Sequence, residues 1–362
     1  MNELEMKNPG ALQSPYDYRQ VPLSVVATAV PLPESYKTDI SMFPVWNQKK
    51  IGACVGHAFA KLAQYYWYKK TGEVVNFSPR FLYAVAKSLD NFPGEGTYPS
   101  LVAKILKDYG CATEALVQND TDLPHEQYVY NRNLSSIPAA AFKEAEKYKI
   151  PGYAFLSTNN ADEIKRAVYD AGMFAGLVRI GKEWWTDKDG NSTWDKNKIL
   201  PLRPPAEIIS GHEIAFYGWD KDTLYELSNS WSSLWADVGN GRIGVKEYLP
   251  FFVEGIVIKE LPPAVIDEVK RLPKKPVYRF LRDLSYGTYK SVEVVALQDC
   301  LKYEGLMPAY IPSTGNYLEE TRKAVLAFQK KYKLITLYQE LAYRGKFCYS
   351  ITRNQLNALY GQ

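Results

Sequence analysis

Residues 47–60, Asn47-Gln48-Lys49-Lys50-Ile51-Gly52-Ala53-Cys54-Val55-Gly56-His57-Ala58-Phe59-Ala60, decide how this chain is read. The first six residues form a turn, and from Val55 the apolar residues Val55, Phe59, Leu62, Ala63 and Tyr66 recur at helical spacing. The pattern predicts a helix that starts at Cys54. A thiol at a helix N-terminus feels the positive end of the helix dipole, which favours the thiolate. A lone cysteine is more often a small buried apolar residue, so Cys54 becomes a candidate nucleophile only if a base stands near it.

The chain offers three histidines as that base. His57 shares the Cys54 helix and reads as a packing or polar neighbour, because groups on one helix seldom approach each other as proton transfer requires. His125, in Asp122-Leu123-Pro124-His125-Glu126-Gln127, reads as a solvated surface residue. His212 opens an alternating strand in which His212, Ile214 and Phe216 share a face, and a second strand, 225–229, ends at Asn229. A two-residue turn at Asp220-Lys221 would set His212 directly opposite Asn229. A four-residue loop would make them diagonal neighbours on one face, and a three-residue loop would put them on opposite faces. In the first two registers the Asn229 oxygen can accept from one imidazole N–H and leave the other nitrogen for a thiol, the Cys-His-Asn form of triad logic.

Outward from this site the chain is 362 residues, 46% hydrophobic and 23% charged, with 28 Tyr, 14 Phe and 8 Trp. That composition suits two globular domains with sizeable cores and excludes a disordered or fibrous chain. Residues 1–31 read as an N-terminal arm. Helices are expected from Ser78-Pro79, over 98–109 and over 161–171, and strands at 174–180, 212–219, 223–231 and 241–249. Residues 261–279 are Pro-rich and charged and read as a linker. Beyond it, helical spacing returns over 292–303, 318–332 and 352–359. The four cysteines, Cys54, Cys111, Cys300 and Cys348, are too scattered for a disulfide framework or a zinc site. Cys300 and Cys348 read as packing residues, with a late disulfide between them left open. The net charge is +4, and from residue 280 onward Lys and Arg outnumber Asp and Glu by 11 to 7. This mild field suits an anionic partner but is too weak to argue for nucleic acid. No stretch reads as a membrane span or secretory signal, and no motif implies a cofactor or metal.

These residues resemble the papain-like cysteine peptidases. The resemblance covers roughly residues 30–260 and rests on Leu32-Pro33-Glu34-Ser35-Tyr36, Gln48 six positions before Cys54, Gly211-His212, and Asn229-Ser230-Trp231 followed by Trp235 and Gly241. It implies an α+β fold of two lobes over 32–260, helical on the Cys54 side and an antiparallel sheet or barrel on the His212 side. It implies that Cys54 attacks a peptide carbonyl, His212 pairs with the thiolate and protonates the leaving amine, and Asn229 orients His212. Gln48 and the Cys54 backbone N–H would form the oxyanion hole. On the substrate-binding side, Gly94 and Gly96 would let substrate backbone approach, and Trp231 would shield the His212–Asn229 bond. Val55 after the nucleophile and Ile51 in place of an upstream cysteine look like the bacterial and phage branch.

Residues 280–362 resemble the three-helix peptidoglycan-binding domains, through Leu284 and Tyr286-Gly287, residues 292–298 ending in Leu297-Gln298, the turn 314–317, and 321–329 ending in Phe328-Gln329. The two resemblances together imply a cysteine endopeptidase that acts on polypeptide and is held at the bacterial cell wall by a small all-α tail. Without a signal it would reach the wall or a virion by another route, or stay cytoplasmic. Two alternatives are a non-catalytic phage or cell-wall structural or binding protein on the same scaffold, and a hydrolase of peptidoglycan cross-bridges.

Overall fold

The helix Cys54–Thr71 runs through the interior, and its residues from Cys54 to Gln64 are buried. In the computed structural model, which describes residues 9–14, 20–90, 92–130, 133–185, 201–202, 204–221, 223–263, 265–266, 276–308 and 311–361, the chain divides into two compact units. The first holds Pro22–Leu261 with the described residues before Pro15, and the second is drawn from Pro15–Val21 and Pro262–Gln362.

In the first unit the Cys54 helix packs with the helices Pro79–Leu89 and Pro99–Asp108. Ser78 caps the former, its side chain accepting from the Phe81 N–H with Pro79 in the first turn, as the sequence pattern expects. Burying Phe59 and Leu62 in this helical core contributes about 1.5–3 kcal/mol each. Further short helices, His125–Val129 and Ala139–Ala145, follow on the helical side, and Ala161–Ala171 packs on the sheet, capped by the Asn160 side chain.

The strands are β1 (Ser35–Lys37), β2 (Tyr153–Phe155), β3 (Phe174–Ile180), β4 (Pro201–Leu202), β5 (Ser210–Asp220), β6 (Leu224–Ser228), β7 (Asn240–Gly244) and β8 (Phe252–Ile258). Among the described residues they form one sheet in the order β2-β8-β3-β5-β6-β7-β4, with β1 also on β5; every pairing is antiparallel except β4 with β7. Strand β5 is buried on both faces. Ala215 and Tyr217 face the helical core, and Ile214 and Phe216 face a second core rich in tryptophan. The stretch expected as a strand over 241–249 leaves the sheet at Gly244 and continues as the helix Val245–Tyr248.

The second unit contains the helices Val292–Tyr303, Glu319–Lys331, Leu337–Tyr343 and Ser350–Tyr360 and a two-stranded sheet of β9 (Leu284–Ser285) with β10 (Phe347–Cys348). The all-α, three-helix expectation is therefore corrected. Thr336 and Gln339 form a reciprocal capping box that starts a further helix, and the chain returns as β10 along β9. Gln298 and Gln329, which carry the resemblance of this segment, are buried clamps: Gln298 bonds Asn316, Thr321 and Gly315, and Gln329 bonds Phe347 and Thr352. Cys300 and Cys348 are free buried thiols in the core of this unit.

Candidate active site

Cys54 is the first residue of its helix and is fully buried. What buries it is the chain's own N-terminal arm. The Gly10 N–H donates to Cys54 Sγ at 3.3 Å, the Thr97 N–H donates to the Gly10 carbonyl at 2.9 Å, and the Leu12 N–H donates to the Thr97 carbonyl at 3.0 Å. On the opposite wall the Ala11 N–H donates to the Gly211 carbonyl at 3.3 Å and the Ser210 hydroxyl to the Pro9 carbonyl at 3.1 Å. An extended peptide thus lies across a cleft with its backbone bonded to both sides. The group it presents to the thiol is an amide N–H rather than a carbonyl carbon, so this pose offers no electrophile. Burial pushes the Cys54 thiol up to about 12, against backbone N–H bonds from Glu213, Gly10 and Val55 that favour the thiolate.

His212 Nε2 lies 2.8 Å from Asn229 Oδ1, and both residues are buried. The connection that joins their strands differs from the two-residue turn expected. Asp220 pairs with Leu224 across a three-residue link, which alone would put His212 and Asn229 on opposite faces. A bulge between Phe216 and Gly218 inserts one residue and restores the parity: beyond it Ala215 pairs with Ser228, so Asn229 falls level with Ile214 and diagonal to His212. His212 Nδ1 is a buried nitrogen with no hydrogen-bond partner, so no bond joins it to Cys54 while the arm is seated. Burial holds the His212 imidazole down to about 4, opposed by its bond to Asn229. Thiol and imidazole are both neutral in this state.

Trp231 is fully buried and stacks on the His212 ring with centroids 4.8 Å apart. Trp184 meets the same ring edge-on at 5.9 Å, stacks on Trp235 and donates its indole N–H to the Tyr248 hydroxyl. Sequence reasoning missed Trp184 and its neighbour Trp185, which stacks on Trp231. Their signal was the Trp-Trp pair that follows the strand Phe174–Ile180 after three residues. Together these rings keep water from the His212–Asn229 bond.

Gln48 is fully buried and ties the two halves of the site together. Its backbone N–H donates to the Ser230 carbonyl at 2.7 Å, its Oε1 accepts from the Ser230 hydroxyl at 2.6 Å, and its Nε2 donates to the Ile51 carbonyl at 3.0 Å. The glycine-bearing wall is also built differently from expectation. The residue that pairs with the seated peptide is Thr97, while Gly96 supplies the close approach: a Cβ there would lie 2.2 Å from the Gly10 oxygen, and its φ is +94°. Gly94 serves through its carbonyl, which accepts from Lys87 Nζ at 2.8 Å. That ammonium is completely buried and also bonds Asp90 Oδ2 at 2.9 Å and the carbonyls of Phe92 and Gly96 at 3.0 and 2.9 Å. The loop is wrapped around one cation.

His57 takes no part in the Cys54 cleft. Its Nδ1 bonds the Ala53 carbonyl at 2.8 Å and its Nε2 the Asn119 side chain at 3.0 Å, which uses both ring nitrogens. His125 is near Tyr83 Oη at 3.3 Å and is only partly buried. Among the described residues no group of three or more His, Cys, Asp or Glu side chains is placed to hold a metal ion.

Residues 33–248 match the family described as papain family cysteine protease. The chain belongs to the papain family of cysteine proteases. Among solved structures, this papain-family fold is similar to xylellain, a cysteine protease from Xylella fastidiosa, at 19% identity with a TM-score of 0.58, over 71% of this chain and 97% of that one. It is also similar to digestive procathepsin L 3 of Tenebrio molitor larval midgut, at 16% identity with a TM-score of 0.51, over 69% of this chain and 75% of that one. No curated protein matches the chain in sequence. The papain-family members are hydrolases, and this chain is a cysteine protease by that membership.

Proposed function

We propose that the protein is a cysteine endopeptidase in which Cys54, His212 and Asn229 form the catalytic triad and Gln48 with the Cys54 N–H binds the oxyanion. The observation that carries this reading is the extended peptide bonded to both walls of the cleft beside Cys54. A cleft that holds its own arm by backbone bonds can hold another polypeptide in the same way. With the arm displaced, Cys54 and His212 gain solvent and each other, so the thiolate–imidazolium pair can form. The thiolate adds to the peptide carbonyl, and His212 gives its proton to the departing amine as the C–N bond breaks. Water then releases the acyl group from sulfur with His212 as base. Asn229 keeps the imidazole oriented, and Trp231 keeps their bond dry.

The test is intact-mass detection of labelling by a peptidyl epoxide. One adduct is expected on the wild type, absent in Cys54→Ala and His212→Ala, and retained in His57→Gln. A folded wild type that takes no adduct would favour the non-catalytic scaffold instead. The tail reading is separate: residues 280–362 hold the enzyme at anionic peptidoglycan, which the local excess of Lys and Arg supports. Sedimentation of the full chain with purified bacterial sacculi, weakened by salt, is expected. Failure to sediment would remove the wall association and leave the peptidase reading intact. Release of soluble peptides from those sacculi would move the substrate to the cross-bridges. No helix among the described residues is long and apolar enough to cross a membrane.

A further inference from the structure

Seven residues after Cys54, on the same helix, a lysine stands in the interior of the protein. Lys61 is 3% exposed; its Nζ donates to the Ser228 hydroxyl at 3.0 Å and lies 5.8 Å from the centre of the Trp46 ring. Among the described residues no carboxylate is ion-paired with it, and burial alone holds its ammonium down, to about 8. At neutral pH the fold therefore keeps a positive charge inside without a countercharge. A buried charge is costly unless it is paired and hydrogen-bonded.

Lys61 lines a small cavity between the Cys54 helix and the sheet, together with Trp46, His57, Glu213, Ser228 and Asn229. The polar groups left over on its walls are donors. The Trp46 indole N–H and the Asn229 side-chain Nδ2 are buried with no hydrogen-bond partner, and the ammonium has N–H groups beyond the one given to Ser228. The acceptors are engaged: Ser228 Oγ by Lys61, and Asn229 Oδ1 by His212 and the Ser230 N–H. His57 spends both nitrogens on Ala53 and Asn119, and burial holds its ring neutral. Glu213 has an unpartnered Oε2, but burial raises its carboxyl well above the usual range, so it brings an O–H and no negative charge.

A water molecule accepts two hydrogen bonds at most, which leaves one of the ammonium, indole and amide donors unmet and the charge unanswered. A monatomic anion accepts from all three and supplies the missing charge. The cavity is about 10 Å³, room for a single particle of water size, which excludes phosphate, sulfate and carboxylates. We propose that this cavity binds one halide ion, chloride in ordinary salt, held by the Lys61 ammonium, the Trp46 indole N–H and the Asn229 amide. The ion joins the Cys54 helix to the residue that follows β6. The inference goes beyond the proposed peptidase chemistry and does not depend on it.

The experiment follows urea unfolding of the full chain at pH 7 by tryptophan fluorescence, with sodium gluconate replaced stepwise by sodium chloride at constant ionic strength. The wild type should gain stability along a saturating curve. At fixed urea the folded-to-unfolded ratio rises by the factor 1 + [chloride]/Kd, about elevenfold at ten times Kd. Lys61→Met removes the charge and should abolish the saturating gain. Trp46→Phe keeps a ring, deletes one donor and should move the curve to higher chloride. A wild type indifferent to chloride would overturn the proposal and leave the cavity to water. An equal gain in wild type and Lys61→Met would overturn it as well, because the gain would then come from salt acting on the whole surface. Should Lys61→Met not fold, Trp46→Phe decides, and a curve that does not move would overturn the proposal.

Discussion

Gly10 sits where a side chain cannot begin, since a Cβ there would lie 2.2 Å from the Gly52 carbonyl oxygen. Gly10→Ala should therefore lift the arm rather than the floor beneath it. Overpacking of this kind costs about 1–3 kcal/mol, and each 1.4 kcal/mol is a factor of ten in the open population. Labelling of Cys54 by iodoacetamide should quicken by about tenfold; an unchanged rate would mean that the arm does not guard the thiol in solution. At Asn229 the expected change has the opposite sign. Asn229→Ala leaves the buried His212 Nε2–H without its acceptor, at about 1–3 kcal/mol of stability, and frees the ring to turn. Peptidyl labelling should fall while urea unfolding shifts to lower concentration. A variant that loses stability and keeps its full labelling rate would show that the bond only supports the fold.

At the scale of elements, the loop between the helix Pro79–Leu89 and Thr97 is held by the Lys87 ammonium, with one carboxylate and three carbonyls around it. Lys87→Met keeps the length of the side chain and removes the charge, leaving Asp90 buried with its countercharge gone. Breaking a buried pair in this way costs about 3–5 kcal/mol, and the Thr97 wall would lose its shape. Thermal unfolding should occur at lower temperature. The ratio of peptidyl labelling to iodoacetamide labelling should drop, because only the peptide uses the wall, and a constant ratio would confine Lys87 to stability. None of this cage was legible in the sequence, since nothing in the order of residues says that four oxygens will converge on residue 87. The helix Ala161–Ala171 was legible because it buries a face that repeats at 3.6 residues, and the Cys54 helix was legible from the spacing of its large apolar residues although its first three turns are buried all round. The strand Phe174–Ile180 was legible from its apolar alternation. That β5 pairs with β6 was legible, but its register was not, because a bulge costs one residue and leaves no compositional mark there. The arm could be read as an arm, but its seat in the cleft depends on tertiary approach by Gly10, Gly52 and Gly96.

At the scale of the whole molecule, pH acts on several buried groups at once, with opposite signs. His57 and His212 are each held down to about 4 by burial, so below the ordinary histidine range the unfolded chain takes up protons that the fold refuses. Their neutral burial is fully tolerated above about pH 6.5, and stability is lost as pH falls from there toward 4. Glu213 and Glu254 are raised by burial, so they act the other way, stabilising the fold as pH falls toward the ordinary carboxyl range. A bare stability curve mixes the two. The difference between wild type and His57→Gln reports chiefly on His57, whose nitrogens bond Ala53 and Asn119; His212 and Lys61 act on its charge, and Glu213 lines the same small cavity. Between about pH 7 and pH 4 the wild type should lose roughly 3 kcal/mol relative to that variant. All eight tryptophans precede Pro262, so their fluorescence in urea follows the protease unit without the tail. A difference that stays flat across this range would mean that the His57 ring meets water, and that the helix carrying Cys54 is more open than its packing here.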